Sequence, residues 1–384
     1  MTQTHSDSIS YNLVEDPITY LVLKKWGIRG ILVFFVIPSI LVIFSSLYEG
    51  SFFIIDISIE NSVELNSYIK DSGTWVVSIL IFITSLFIKK LFDDAQYYFK
   101  RLWDRKIFED SVNLSKYIKY LYEYEKQANS KLSYILGMLF VVIYLPLHIT
   151  IIENDARKGI IFFYDYRYFP ITRILVHLFA SFYVFLIGIF LWKVYFIVKS
   201  MRGISNSKNF QLRLQPLNPD KSAGLHPLGK LSFYISRIIL TFGLYVSYII
   251  SLGLARKTLY SSTLFIVIIM MIIYLSLSIF LFFYPILSAH NLMMKVKDNL
   301  LDKLSAKLGV MYSKMYDDLA NTESKFDSEQ TTQLLNLREL YLEAGKMPVW
   351  PFDTDTLLRF IGSVVSPIFL LIIEVFISVY LLSR

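Results

Sequence analysis

Apolar positions along this chain gather into seven long runs, and between the runs the pattern turns polar with a helical period. The runs cover 31–47, 75–92, 132–152, 169–198, 231–255, 263–289 and 357–382. At about 1.5 Å per residue each is long enough, or nearly so, to cross about 30 Å of hydrocarbon. They predict an all-α polytopic integral membrane protein of about seven transmembrane helices. The expected organisation is a cytoplasmic N-terminus (1–30) and a six-span region (31–289) that includes a helical hairpin (89–131) and a motif-bearing loop (199–230). A cytoplasmic helical segment (290–356) and a last span (357–384) follow.

The polar segments carry their own signals. Beyond the second run, Leu91, Phe92, Ala95, Tyr98, Phe99, Leu102 and Trp103 form an apolar stripe at helical spacing. A break is expected near Glu109 and Asp110, with Asp110 or Ser111 capping a second helix that leads into the third run. Beyond the sixth run, Leu292, Val296, Leu300, Leu304, Leu308, Met311, Met315 and Leu319 recur at three- and four-residue steps. That spacing predicts a helix reaching roughly 45 Å below the membrane. A short helix over 329–344 follows, with Gly345 as its C-terminal cap and Pro348 just beyond. Both stripes suit either packing within one chain or assembly of several. No strand is expected.

Composition agrees with this picture: 384 residues, 55% hydrophobic, with mean hydropathy +0.51. There is no cysteine, which excludes disulfides, thiolate nucleophiles and thiolate metal sites. The net charge of +7 follows topology and gives no reason to expect nucleic-acid binding. With the N-terminus inside, the inner segments hold 27 Lys and Arg and the outer segments seven. The positive-inside rule then places the C-terminus outside. The polar N-terminus lacks a basic n-region, so no cleavable signal peptide is expected.

Catalytic signatures are missing: no Walker loop, HExxH, GxSxG or GxGxxG occurs. The five histidines are scattered without metal-ligand spacing. Neither enzymatic activity nor a cofactor is expected. The notable residue is Glu374, a carboxylate inside the last apolar run, where charge is costly and usually faces a bundle interior, a cavity or a cation. Glu374 and His177 each lie about 12 Å from the outer ends of their runs, and Arg173 and His148 about 6 Å. These four could meet in the outer leaflet, either as a cation- or proton-sensitive site lining a pore or as a structural pair locking helices together. Lys193 and Arg237, towards the inner side, are expected to snorkel to the headgroups. Pro38, Pro146, Pro285 and Pro367 interrupt runs, and Pro367 is a candidate hinge seven residues before Glu374.

Two stretches read as motifs. One is 216–230, with Asn218-Pro219-Asp220 as a turn and Gly224 free to adopt positive φ. Its excess of basic residues suits anionic lipid headgroups or a small phosphorylated ligand. Its other reading is an elbow seating the fifth span. The second stretch is 347–353, where Pro348 and Pro351 flank Trp350 and either Asp353 or Asp355 can cap the last span. Together, (His/Asn)-Pro-Asp-x-x-x-Gly-Leu before one span and Pro-x-Trp-Pro-Phe-Asp before the last resemble an uncharacterised family of bacterial multispan membrane proteins. Asn218 and Ala223 stand where members commonly carry His and Gly. The match covers about 20 of 384 residues. The topology is also similar to that of insect chemoreceptor-type channels, by analogy alone.

The function expected from the sequence is an oligomeric ion channel or pore-type effector, gated through the cytoplasmic helices. Two alternatives are a secondary transporter coupled through Glu374 and a non-catalytic scaffold for a soluble partner. The expected partners are an anionic bilayer, further copies of the chain, and a soluble cytoplasmic ligand or protein.

Overall fold

The computed structural model describes residues 9–25, 27–53, 64–157, 160–206, 210–214, 222–255, 261–320 and 328–380. In chain order the elements are α1 (Pro17–Thr19) with a π-turn (Tyr20–Lys25), α2 (Ile28–Tyr48), β1 (Glu64–Asn66), α3 (Ser72–Asp104), α4 (Leu114–Ala128), α5 (Leu132–Arg157), β2 (Ile160–Phe162) and α6 (Pro170–Ile204). Next come α7 (His226–Ala255), α8 (Ser261–Phe283), a 3-10 turn (Tyr284–Ile286), α9 (Leu287–Ala320), α10 (Ser328–Gly345) and α11 (Thr354–Tyr380). About four fifths of the described residues are helical, so the all-α class holds. Among them, five helical runs are long and apolar enough to cross a membrane: Ile28–Tyr48, Ser72–Asp104, Leu114–Thr150, Pro170–Ile204 and Met271–Asp317.

Caps and close approaches explain where these helices start and how they pack. Asp71 opens α3 by accepting the Gly73 amide at 3.3 Å and the Thr74 hydroxyl at 2.6 Å. Glu49, at the end of α2, accepts the amides of Ile171 and Thr172 at 2.9 Å each and so caps α6 from another helix. Helix α4 begins at Asn113, which accepts the Lys116 amide at 2.8 Å. The cap is therefore two to three residues later than Asp110 or Ser111, because Asn113 immediately precedes the first helical turn. Gly345 is the last residue of α10 but not a left-handed cap; positive φ among described glycines occurs at Gly27, Gly50 and Gly224. The turn at Pro285 separates α8 from α9, as its missing amide dictates.

Helices α5 and α6 run along each other and touch backbone to backbone. A Cβ on Gly188 would lie 2.6 Å from the Gly137 Cα, so only glycine at both positions allows the contact. Helix α7 packs between α3 and α11, and α10 folds back on α9.

Two features depart from expectation. A two-stranded parallel sheet joins β1 to β2, with Leu65 opposite Ile161 and Asn66 opposite Phe162. Each strand is three residues, too short to leave a period in the sequence. Around it, Tyr68, Phe162, Phe163 and Tyr164 form a small core with Val42 and Ile152. The second departure is at the N-terminus. Ile9, Tyr11, Leu13 and Val14 are buried in the main core with Phe99 of α3, Tyr117 and Leu121 of α4, and Ile197 and Met201 of α6. Segment 9–25 is thus a packed strap and not a solvated tail.

Candidate functional site

The two motif stretches, more than a hundred residues apart in the chain, meet in space. A Cβ on Gly229 would clash with the Pro351 carbonyl and with Phe352, so glycine lets the 347–353 segment lie against α7. Lys230 Nζ donates to the Thr356 hydroxyl at 3.1 Å. Asp353 accepts the Thr356 amide at 2.9 Å and caps α11, whereas Asp355 pairs with Arg359 at 2.8 Å on the surface. Burial tends to raise the Asp353 carboxyl, but its bonds to Thr356 and the nearby Lys230 hold it below the usual range. Burial, then Lys230, pushes the neighbouring His226 imidazole down, against the opposing pull of Asp353. Gly224 has φ +91° and Ala223 φ +52°, and the Gly224 carbonyl accepts from Arg105 at 3.3 Å. Asn218, Pro219 and Asp220 lie outside the described residues.

The same elbow is gripped from the other side by α9. Trp350 stacks on His290 with ring centroids 3.8 Å apart and planes 13° apart. His290 Nδ1 donates to the Val349 carbonyl at 2.8 Å. Lys297 Nζ donates to the carbonyls of Gly345 at 2.6 Å and Met347 at 2.9 Å. Pro351 and Trp350 are thus clamped between α7 and α9 at the root of α11. Farther along α11, the Pro367 carbonyl accepts from Ser247 of α7 at 2.8 Å.

Of the four residues expected to share a depth in the outer leaflet, three come together. Gly137 and Gly188 mark where α5 and α6 touch. His148 lies eleven residues after the first and His177 eleven before the second, so in antiparallel helices both stand at one height. Their ring centroids are 5.1 Å apart. Arg173, one turn from His177, is within electrostatic reach of both rings. His177 Nδ1 lies 3.0 Å from the Arg173 carbonyl. His148 stacks between Tyr144 and Tyr164, at 5.0 Å and 6.5 Å. His148 Nδ1, His177 Nε2 and Arg173 Nη1 are buried and meet no hydrogen-bond partner among the described residues. Glu374 stands on α11, which packs chiefly along α7; its side chain lies outside the described residues.

In the C-terminal half of α6, the side expected to face inward, the sequence reading missed a polar node. Lys193 does not snorkel: its side chain is fully buried. Its ammonium donates to the Leu13 carbonyl and to Asn129 Oδ1, both at 2.6 Å, and pairs with Asp16 Oδ2 at 2.6 Å. Asp16 Oδ1 also accepts the Thr19 amide at 3.0 Å and the Tyr134 hydroxyl at 3.2 Å. Burial would raise the Asp16 carboxyl, but the Lys193 charge outweighs it and holds the group below the usual range. Close by, burial pushes Glu125 up to about 7, with Glu15 adding to the rise and the Asn12 backbone and Lys24 opposing it. One signal was legible: Asp16-Pro17 is a cap followed by proline at the first helical position. Arg237, also expected to snorkel, lies over the rings of Phe233 at 4.6 Å and Tyr234 at 5.2 Å on its own helix.

Comparison with family models, with curated proteins and with solved structures finds no match for this chain.

Proposed function

We propose that the chain is an integral membrane protein of seven helical spans in a bacterial inner membrane, with its N-terminus cytoplasmic and its C-terminus external. On this reading it is not an enzyme. It assembles with copies of itself into an ion channel or pore-type effector gated through its cytoplasmic helices. Anionic headgroups contact its inner face, and a soluble ligand or protein acts on α9 and α10.

The observation that carries the gating element is the clamp on the elbow. Helix α9 holds the carbonyls of Gly345, Met347 and Val349 through Lys297 and His290, and stacks His290 on Trp350. Three residues beyond Trp350, Asp353 starts α11. A shift of α9 is therefore passed to the helix that carries Pro367 and Glu374 with little slack. Helix α11 also leaves Leu358, Val365, Phe369 and Ile372 exposed, an apolar face suited to lipid or to a neighbouring subunit.

Reconstitution in liposomes tests the proposal. Flux with unitary currents is expected, and Lys297→Ala should change open probability several-fold while leaving unitary conductance unchanged. A folded, inserted protein that passes no ion would overturn the channel. Capture of a defined cytoplasmic protein through exposed Val310 and Tyr316 of α9 would then favour the scaffold.

A further inference from the structure

The cluster on α5 and α6 presents three buried polar atoms that have no hydrogen-bond partner among the described residues. They are His148 Nδ1, His177 Nε2 and Arg173 Nη1. Buried polar groups ordinarily have partners, and each one left alone costs about 1–3 kcal/mol. Three such atoms on two neighbouring helices call for a shared partner.

Chemistry narrows the occupant. Arg173 supplies a permanent positive charge and only donors. Its guanidinium lies over the Tyr166 ring at 5.5 Å. The acid nearest in the turn, Asp165, is already held by Arg167 through bonds of 3.0 Å and 2.7 Å. Glu49 is bound to the amides of Ile171 and Thr172. Both carboxylates are thus hydrogen-bonded elsewhere, and Asp165 acts on Arg173 through space with no direct bond among the described residues. Among the described residues, the phenols of Tyr144 and Tyr164 also pack against the histidines. A metal ion is disfavoured by the guanidinium, and an apolar group would leave all three atoms unsatisfied. A small anion satisfies the charge and accepts from all three.

The tautomer adds a second condition. His177 Nδ1 faces the Arg173 carbonyl at 3.0 Å. A carbonyl only accepts, so Nδ1 carries the hydrogen and Nε2 of the neutral ring offers a lone pair. Nε2 donates to an anion only after taking a proton.

We propose that His148, His177 and Arg173 form a binding site for a small monovalent anion, of the halide or formate class, and that the anion enters together with one proton on His177. The site does not require the chain to conduct; if it does conduct, this assigns the cluster to anion selectivity and not to the cation sensitivity expected from the sequence.

The test is calorimetric titration of the purified full chain in detergent with sodium bromide and sodium formate, from a gluconate buffer, between pH 5.5 and 8. Saturable binding is expected, with close to one proton taken up per anion, measured from buffers of different ionisation enthalpy. Above the imidazole titration, affinity should fall about tenfold per pH unit. Arg173→Gln should abolish binding, Arg173→Lys should weaken it, and His177→Gln should remove the pH dependence. Binding that is equal in Arg173→Gln overturns the site. So does a folded wild-type chain showing no anion signal, which would mean that a water alone bridges the three atoms. If Arg173→Gln does not fold, the proton uptake of the wild type and the pH profile of His177→Gln decide the matter. Uptake near zero with unchanged profiles refutes the proposal.

Discussion

Helix α6 carries a basic group near each end, and the two are treated in opposite ways. At the inner end, Lys193 has three acceptors at 2.6 Å for its three donors, and its charge is matched by Asp16. At the outer end, Arg173 and two imidazoles leave three atoms without partners among the described residues. Lys193 is fully buried and Arg173 partly so, and both lie on the same helix. What differs is the number of acceptors the fold supplies. A complete set makes the inner node a fastener between the N-terminal strap and α4, α5 and α6. An incomplete set makes the outer node a receptor. Depth in the membrane alone, which the sequence yields, does not distinguish them.

The largest effect should come from the fastener. Lys193→Met leaves Asp16 buried without its cation, and a loss of roughly 3–5 kcal/mol is expected. Thermal unfolding in detergent would measure it, and protease sensitivity of segment 9–25 should rise with it. Adding Asp16→Asn should restore part of the loss. A neutral Lys193→Met would remove the contrast between the two ends.

A middle-sized effect is expected from Glu125, which sharpens the picture of the strap. Its folded value of about 7 lies above the ordinary 4.5, so the docked state holds the proton more tightly. Docking is then fully favourable below about pH 4.5. It weakens as pH rises through 7, by on the order of 1–3 kcal/mol for this buried group. Hydrogen exchange of residues 9–25 at pH 5 and pH 8 reads this directly. Glu125→Gln should flatten the dependence; an unchanged slope would assign it to another group.

The smallest effect belongs to the receptor. His177→Gln or Arg173→Gln removes nitrogens that have no hydrogen-bond partner among the described residues, so each should change stability by less than about 1 kcal/mol in anion-free buffer. A larger loss would show the outer node to be a second fastener, with Glu374 the first candidate for its missing partner.

These contrasts mark how far the sequence could be read. Length and hydropathy are local, so the described parts of the apolar runs are helical, and the extensions of α3 and α9 beyond their runs follow from their stripes. The common depth of His148 and His177 was legible as well; the equal spacing of each from Gly137 and Gly188 is a sharper version of the same arithmetic. The Lys193–Asp16 pair was not, because it closes over 177 residues and no local pattern places its acid against α6. The sheet of β1 and β2 was not legible either, as three residues carry no period. At the elbow, Asp353 and Asp355 were equivalent candidates, and only packing against Lys230 and Thr356 separates them.

The glycine contact between α5 and α6 has a mechanical consequence. With no side chains interposed, Gly137 and Gly188 act as a fulcrum about which the two helices can scissor. The outer arm to His177 is eleven residues, about 16 Å, and the inner arm to Lys193 is five residues, about 7.5 Å. Any rocking is thus magnified about twofold at the imidazoles relative to the ammonium, and in the opposite direction. A displacement small enough to leave the inner fastener intact would still open or close the outer rings, giving the anion its passage without loosening the bundle.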